Sequence, residues 1–151
     1  MRWMRGFAAV VLACGVAFAQ ADSNARAEAL VKDAVAFARK NGKDKLLEAT
    51  SLPNGQFHLK KGDDLYLFIY NPTGLCLAHG SKAMLVGLNR FDAKDPDGKF
   101  YVREMINIAK TKGKGWVSYK YPDPKNGKVE SKTTFVTLHD DLVVCAGAYK
   151  E

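Results

Sequence analysis

The spacing of apolar residues changes from a helical period to a strand-like alternation at about residue 60. In the first part, the residues of one apolar stripe fall at i, i+3, i+4, i+7, i+10 and i+11, which predicts an amphipathic helix. These residues are Ala27, Leu30, Val31, Ala34, Phe37 and Ala38. The polar residues 22–24 are expected to cap its start and Asn41-Gly42 to end it. A further turn or two is predicted over 43–50, before the turn residues 53–55.

Five later segments have the composition and alternation of β-strands, with one helix among them. The predicted strands are 64–71, 75–79, 115–121, 129–139 and 142–149, and the helix is 98–111, with Asp97 as its cap. In the first strand both alternating sets are apolar or aromatic, so both faces of the sheet are expected to be covered. One helix, two strands, a helix and three strands predict an α+β domain.

The first 21 residues have the pattern of a secretory signal peptide. Arg2 and Arg5 precede an apolar stretch over 7–16, and small residues before Ala21 provide a cleavage site. The stretch is too short to span a membrane. We therefore expect cleavage after Ala21 and a periplasmic mature domain, 22–151. A lipoprotein acylated at Cys14 is the alternative, and it is less favoured because Cys14 lies early and a good cleavage site follows it.

The chain is basic, with 23 Lys and Arg against 16 Asp and Glu, a formal net charge of +7. Loss of the leader removes two arginines and no acid, which lowers the charge to +5. The lysines occur in short runs with acids nearby, which is typical of a solvated surface. Alternatively, they attract anionic ligands or an anionic envelope surface. Nucleic acid is not an expected partner, because the leader predicts export and no binding motif is present.

The sequence lacks the motifs of common enzyme classes. There is no glycine-flanked nucleophilic serine, no haem-attachment motif and no phosphate-binding loop. The histidines are not at metal-ligand spacing. Asp95, Asp97 and Glu104 match part of a calcium-binding loop, but Ala93 holds its first ligand position, so a turn and a helix cap explain these acids better. We therefore predict a protein that is not an enzyme and has no metal or cofactor.

Several segments, in their order and spacing, resemble a single Cache domain, the extracytoplasmic sensor fold related to PAS domains. The segments are GDDLYLFIY at 62–70, GLCLAH at 74–79, LVGLN at 85–89, DPDGK at 95–99, GWVSY at 115–119, KTTFV at 132–136 and GAY at 147–149. The resemblance covers nearly all of the mature chain. It implies a five-stranded antiparallel sheet in the order 2-1-5-4-3, with the long helix on one face and a loop-helix cover on the other.

The resemblance also implies a function. Cache domains bind small organic ligands, often short carboxylates or amino acids, between the cover and the sheet, mostly within chemoreceptors, histidine kinases or cyclic-dinucleotide enzymes. Nothing follows Glu151, so we expect this chain to signal through a separate membrane chemoreceptor or histidine kinase, as a monomer or homodimer. The alternative is a ligand-free interaction module of the cell envelope that docks through its lysine-rich surface or its long helix.

The implied strand order bears on the two cysteines of the mature chain. Strands 2 and 5 would flank strand 1, so Cys76 and Cys145 would lie two strand spacings apart, about 9.5 Å. A disulfide requires Cα atoms within about 7 Å. We predict that Cys76 and Cys145 are unbridged.

Lys132 is the strongest candidate for binding an anion. It lies within strand 4, in phase with Thr134 and Val136, and a lysine on a covered face usually meets an anion because an unpaired buried charge is unfavourable. The alternative is an edge lysine that extends to solvent. Tyr119 and His79 are expected to donate hydrogen bonds to the ligand. The predicted apolar walls are Tyr101, Met105, Phe68, Tyr70 and Tyr121. For each aromatic residue the alternative is core packing, and for His79 it is a role in holding its loop.

Overall fold

A five-stranded antiparallel sheet, in the order β2-β1-β5-β4-β3, forms the centre of the molecule. The computed structural model describes residues 12–150. The strands are β1 (Leu67–Tyr70), β2 (Cys76–His79), β3 (Lys114–Pro122), β4 (Val129–His139) and β5 (Leu142–Tyr149). The predicted strand order is confirmed. The bounds of β4 and β5 are those predicted, whereas β1 is shorter and begins at Leu67, whose N–H donates to the carbonyl of Phe57 in the preceding loop (3.0 Å).

Three helices accompany the sheet: α1 (Leu12–Asn41), α2 (Lys43–Ser51) and α3 (Tyr101–Lys112). The predicted cap at 22–24 is wrong, because these residues lie inside α1. Alanines on both sides of them favour the helix strongly enough to carry it through the three polar residues. Gly42, with φ of +93°, separates α1 from α2 as expected.

The predicted leader is only partly described. Arg2 and Arg5 lie outside the described residues, as does the side chain of Cys14. Along residues 12–150, no helix combines the length and the apolar character that crossing a membrane requires.

Helices cover both faces of the sheet. On one face, α1 and α2 pack against apolar residues that include Leu67, Ile69 and Val144. On the other, α3 packs against Phe68, Val117 and other residues of the opposite phase. All eight residues of β5 are buried. Because each buried aliphatic side chain contributes about 1.5–3 kcal/mol, the two apolar phases of the strands account for both covered faces.

The segment between β2 and α3, together with α3, forms the second layer, which we call the cover (80–112). Backbone hydrogen bonds attach it to the β2 edge: the N–H of Cys76 donates to Leu88, and that of Gly87 donates back to Cys76, both at 2.9 Å. The N–H of Arg90 donates to the carbonyl of Gly74 at 2.7 Å. These bonds fix the cover along one side of the sheet.

Asp95 attaches the cover to the opposite edge of the sheet. Its carboxylate accepts backbone N–H groups from Asp97, Lys99 and Lys120 at 2.9–3.0 Å. Asp97 does not cap α3, as the sequence had predicted; it forms an ion pair with Lys120 at 3.0 Å. The helix begins three residues later than expected, after Phe100, with no side-chain cap.

Cys76 and Cys145 are free and buried, which confirms the prediction that they are unbridged. They lie on β2 and β5, with β1 between them.

Candidate functional site

The Lys132 side chain lies in an aromatic cage between the sheet and the cover. Lys132 is 1% exposed, and its Nζ donates a hydrogen bond to the hydroxyl of Tyr66 at 2.9 Å. The Nζ atom lies 4.3 Å from the ring centre of Tyr66, 5.0 Å from Phe68, 4.9 Å from Tyr149 and 5.3 Å from Tyr121. We call these four rings the Lys132 cage. Such rings attract a cation through the negative charge of their faces.

Gly147 on β5 makes room for this side chain. It lies opposite Thr134 in the β4–β5 ladder. A Cβ atom at Gly147 would come within 2.7 Å of Lys132 Cε and 2.3 Å of Thr134 Oγ1. The lysine therefore reaches the cage across a position where only glycine leaves enough space.

Burial dominates the electrostatics of Lys132. The pKa of the amine is lowered from 10.5 to about 7, mainly by burial and also by the charge of Lys82, while Asp64 and Asp123 act in the opposite sense. Lys132 forms no salt bridge with any residue of 12–150, and Asp64 is paired with Lys125 at 3.1 Å. A buried ammonium that lacks a counter-charge is unfavourable. An anion beside the amine would supply that counter-charge, and this role of Lys132 stays a prediction.

His79, at the end of β2, lies beside the cage. Its ring stacks on Phe68, with centroids 5.7 Å apart. Its Nδ1 accepts two backbone N–H groups, at 3.1 and 2.8 Å, so the neutral ring carries its proton on Nε2. Its pKa is lowered to about 3, mainly by burial and also by the charges of Lys132, Lys82 and Arg90. His79 is thus a neutral hydrogen-bond donor near three cations.

A second group of aromatic residues packs between α3 and β3. Tyr101 stacks on Tyr119, with centroids 4.6 Å apart and planes 3° from parallel. The hydroxyl of Tyr119 is 2.9 Å from Thr134 Oγ1. Tyr70 and Met105 are buried in the same apolar cluster. These residues fill the layer between α3 and the sheet beside the cage.

An outer cavity of about 330 Å³ lies next to the cage, and Tyr121 lines it. Lys82 and Arg90 are on its wall. Lys82 Nζ lies 3.4 Å from the hydroxyl of Tyr121 and 4.5 Å from the centre of its ring. Arg90 Nη2 donates to the hydroxyl of Tyr101 at 3.2 Å, while Arg90 Nε is buried with no hydrogen-bond partner among the described residues. Tyr121 is therefore shared by the cage and the outer cavity.

All eight residues singled out from the sequence lie in the layer between the sheet and the cover, but only some of them meet. Lys132, Phe68 and Tyr121 share the cage, and His79 stacks beside it, whereas Tyr101, Tyr119, Tyr70 and Met105 pack in the adjoining core. Their roles toward a ligand stay predictions.

Sequence reasoning missed Tyr66, Tyr149, Lys82 and Arg90. Tyr66 is in phase with Phe68 along the first predicted strand, and Tyr149 is in phase with Cys145 along the last. The alternation could therefore have indicated both tyrosines. Lys82 and Arg90 lie in an irregular part of the cover. Without a helical or strand period, the sequence there does not indicate which side chains point inward.

Comparison with known proteins gives a consistent result. A family model described as a Cache domain matches residues 57–151. The sensor histidine kinase MctS of Rhizobium johnstonii is 36% identical over 93 residues, which are 60% of this chain and 20% of the kinase. The chain therefore spans about a fifth of the length of that curated relative.

Solved structures agree in fold. A periplasmic sensor domain of a chemotaxis protein superposes with a TM-score of 0.69 at 25% identity, covering 95% of this chain and all of that one. A methyl-accepting chemotaxis protein from Vibrio parahaemolyticus gives a TM-score of 0.73 at 18% identity, over 89% of this chain and 93% of that one. A Cache chemosensory domain described in terms of carboxylic acid recognition gives 0.65 at 21% identity, over 93% and 97% of the two chains.

Proposed function

The chain belongs to the Cache domain family, and from this premise we propose that it is a periplasmic sensor module that binds a short organic carboxylate in the Lys132 cage. Its relatives are sensor domains of chemotaxis proteins and of a histidine kinase. One solved relative is described as recognising carboxylic acids. The proposal extends that ligand class to this chain.

The observation that carries the proposal is the state of the Lys132 ammonium. It has three N–H donors, gives one of them to Tyr66, and forms no salt bridge within residues 12–150. A carboxylate would supply the missing negative charge and accept the remaining donors through short charge-assisted hydrogen bonds. The Nε2–H of His79 would supply another donor, and the rings would enclose the short apolar part of the acid.

The same geometry favours simple acids over amino acids. An amino acid carries an ammonium group, which needs a carboxylate partner in the site. The two nearby acids are already engaged: Asp64 pairs with Lys125, and Asp123 accepts the backbone N–H of Lys125 at 2.8 Å. An added ammonium would also be repelled by Lys132 and Lys82. We therefore expect unsubstituted or hydroxylated short acids to bind more tightly than alanine or serine.

A bound acid would contact sheet residues that are tied to the cover. Lys132 and Phe68 belong to the sheet, and the Nδ1 of His79 beside them accepts the backbone N–H groups of Ser81 and Lys82 in the cover. Binding would therefore favour conformations in which the cover lies close to the sheet. In the proposed pathway, removal of 1–21 releases the domain into the periplasm, and a separate membrane chemoreceptor or histidine kinase distinguishes its two states.

The test is a thermal-shift and calorimetric screen on protein exported with its own leader and purified without carboxylate buffers. Acetate, propionate, lactate and alanine are compared on the wild type, Lys132→Met and Lys110→Met, the last an exposed lysine on α3. An acid at a hundred times its Kd stabilises the folded state by about 2.7 kcal/mol. We expect this for at least one acid in the wild type and in Lys110→Met, but not in Lys132→Met.

If no acid at millimolar concentration raises the melting temperature of the wild type, the proposal fails. The ligand-free interaction module would then be favoured. If acids bind equally well to Lys132→Met, the domain has a ligand but the cage is not its site.

A further inference from the structure

We propose that the outer cavity is a second anion subsite, so that the preferred ligand is a short dicarboxylate that spans from Lys132 to Lys82 and Arg90. The inference rests on the proposed function and specifies its ligand class. One carboxylate of the ligand would occupy the Lys132 cage. The other would lie in the outer cavity, which the Tyr121 ring also lines.

Charge in the outer cavity is unbalanced. Four basic residues line it, against a single acid, Asp95. The carboxylate of Asp95 is already engaged by the three backbone N–H groups that hold the cover. Of the basic residues, Lys120 pairs with Asp97. Lys82 and Arg90 have no carboxylate partner among the described residues, so an incoming anion would be their counter-charge.

Arg90 carries the most direct sign of a ligand. Its guanidinium is held by the hydroxyl of Tyr101, yet its Nε–H is buried and makes no hydrogen bond within residues 12–150. Buried N–H groups in folded proteins nearly always have a partner. A carboxylate can accept from Nε and a terminal nitrogen at once, the paired geometry that arginine provides. A second carboxylate in the cavity would satisfy this atom.

Tyr121 sets an upper limit on the spacing between the two subsites. Its ring centre is 4.5 Å from Lys82 Nζ and 5.3 Å from Lys132 Nζ, so the two nitrogens are at most 9.8 Å apart, the sum of those distances. Charge-assisted hydrogen bonds of about 2.8 Å at each end leave at most about 4 Å between the two bound oxygens. A four-carbon dicarboxylate bridges this distance, whereas a monocarboxylate of the same length meets only one cation.

The experiment compares succinate with butyrate, which has the same carbon chain but one carboxylate, by titration calorimetry on the purified full chain. Measurements at about pH 6 keep Lys132 protonated. The proteins are the wild type, Lys82→Gln, Arg90→Gln and the double variant, with Lys110→Gln as the matched exposed control. The quantity of interest is the ratio of the two dissociation constants.

We expect succinate to bind the wild type and Lys110→Gln at least tenfold more tightly than butyrate. We expect this advantage to fall at least tenfold in the double variant, with intermediate losses in the single variants. Equal binding of the two acids to the wild type overturns the inference and needs no variant to fold. So does a preference for succinate that survives in the double variant. In both cases butyrate binding still supports the proposed function. A wild type that binds neither acid also overturns the inference, and the proposed function is then decided by the separate screen of acetate, propionate and lactate.

Discussion

Replacing Lys132 with methionine is expected to remove a pH dependence of stability from the ligand-free protein. The unfolded chain releases the Lys132 proton with a pKa near 10.5, and the folded protein releases it near 7. Between these values the unfolded state binds more protons than the folded state, so the free energy of unfolding must rise with pH. Below pH 7 both states are protonated, and the full penalty of burying the charge is present.

The size of the effect follows from the shift. Each unit of pKa difference corresponds to about 1.36 kcal/mol, so the whole window between the two pKa values is worth roughly 5 kcal/mol. Between pH 7 and 9, the contribution of Lys132 to the free energy of unfolding should increase by about 2 kcal/mol. Methionine has a similar length and packs well against aromatic rings, so the variant should be more stable than the wild type at neutral pH.

The assay is urea unfolding at several pH values from about 6 to 9, in buffers without carboxylates, on the wild type, Lys132→Met and Lys110→Met. Burial and the charge of Arg90 also lower the pKa of Lys82. Lys82 therefore also makes the free energy of unfolding rise with pH, but it is present in every variant. The difference between the wild type and Lys132→Met therefore isolates Lys132. The free energy of unfolding of Lys110→Met should follow that of the wild type. The reasoning is refuted if the free energy of unfolding of the wild type does not change from pH 7 to 9, or if it rises equally in Lys132→Met.

Three further outcomes are expected. Gly147→Ala should destabilise the protein by about 1–3 kcal/mol in urea unfolding and weaken carboxylate binding, since its Cβ would collide with Thr134 and Lys132; a variant that binds as the wild type does would contradict this. Carboxylate affinity measured by calorimetry should be constant below pH 7 and fall up to tenfold per pH unit above it, because the amine of the free protein loses its charge there; pH-independent binding would exclude Lys132 as the ligand's counter-charge. The intact mass of the exported protein should not change on reduction, because Cys76 and Cys145 lie on strands separated by β1, whereas a gain of two hydrogens would show a disulfide.

The fold could be predicted where local signals and family resemblance agreed. Turn residues flank strands β4 and β5 and leave few positions where either strand could begin or end, so the predicted ends of both strands are correct. The start of α1 could not be found from capping residues alone, because the alanines of the predicted leader continue the helix past them. Asp97 likewise has the chemistry of a cap, but Lys120 on a distant strand offers it an ion pair.

The candidate site was predictable to the extent that it lies on regular strands. Lys132 stood out because it is a charged residue on the strand face that Thr134 and Val136 share. The structure buries that face, and Lys132 with it. The partner it contacts, Tyr66, looked like ordinary core. Arg90 could not be found, because its position depends on the path of an irregular segment that is fixed by long-range backbone hydrogen bonds.

The central position of β5 sets the order in which this domain can be assembled. β5 pairs with β1 on one side and β4 on the other, and it is the last strand in the sequence. A chain that emerges with its N-terminus first therefore contains the helices, the β1–β2 hairpin and the β3–β4 hairpin before the strand that joins the two hairpins. The hairpins cannot join into one sheet until residues 142–149 arrive, so the long-range pairings that close the sheet form late and depend on this one strand.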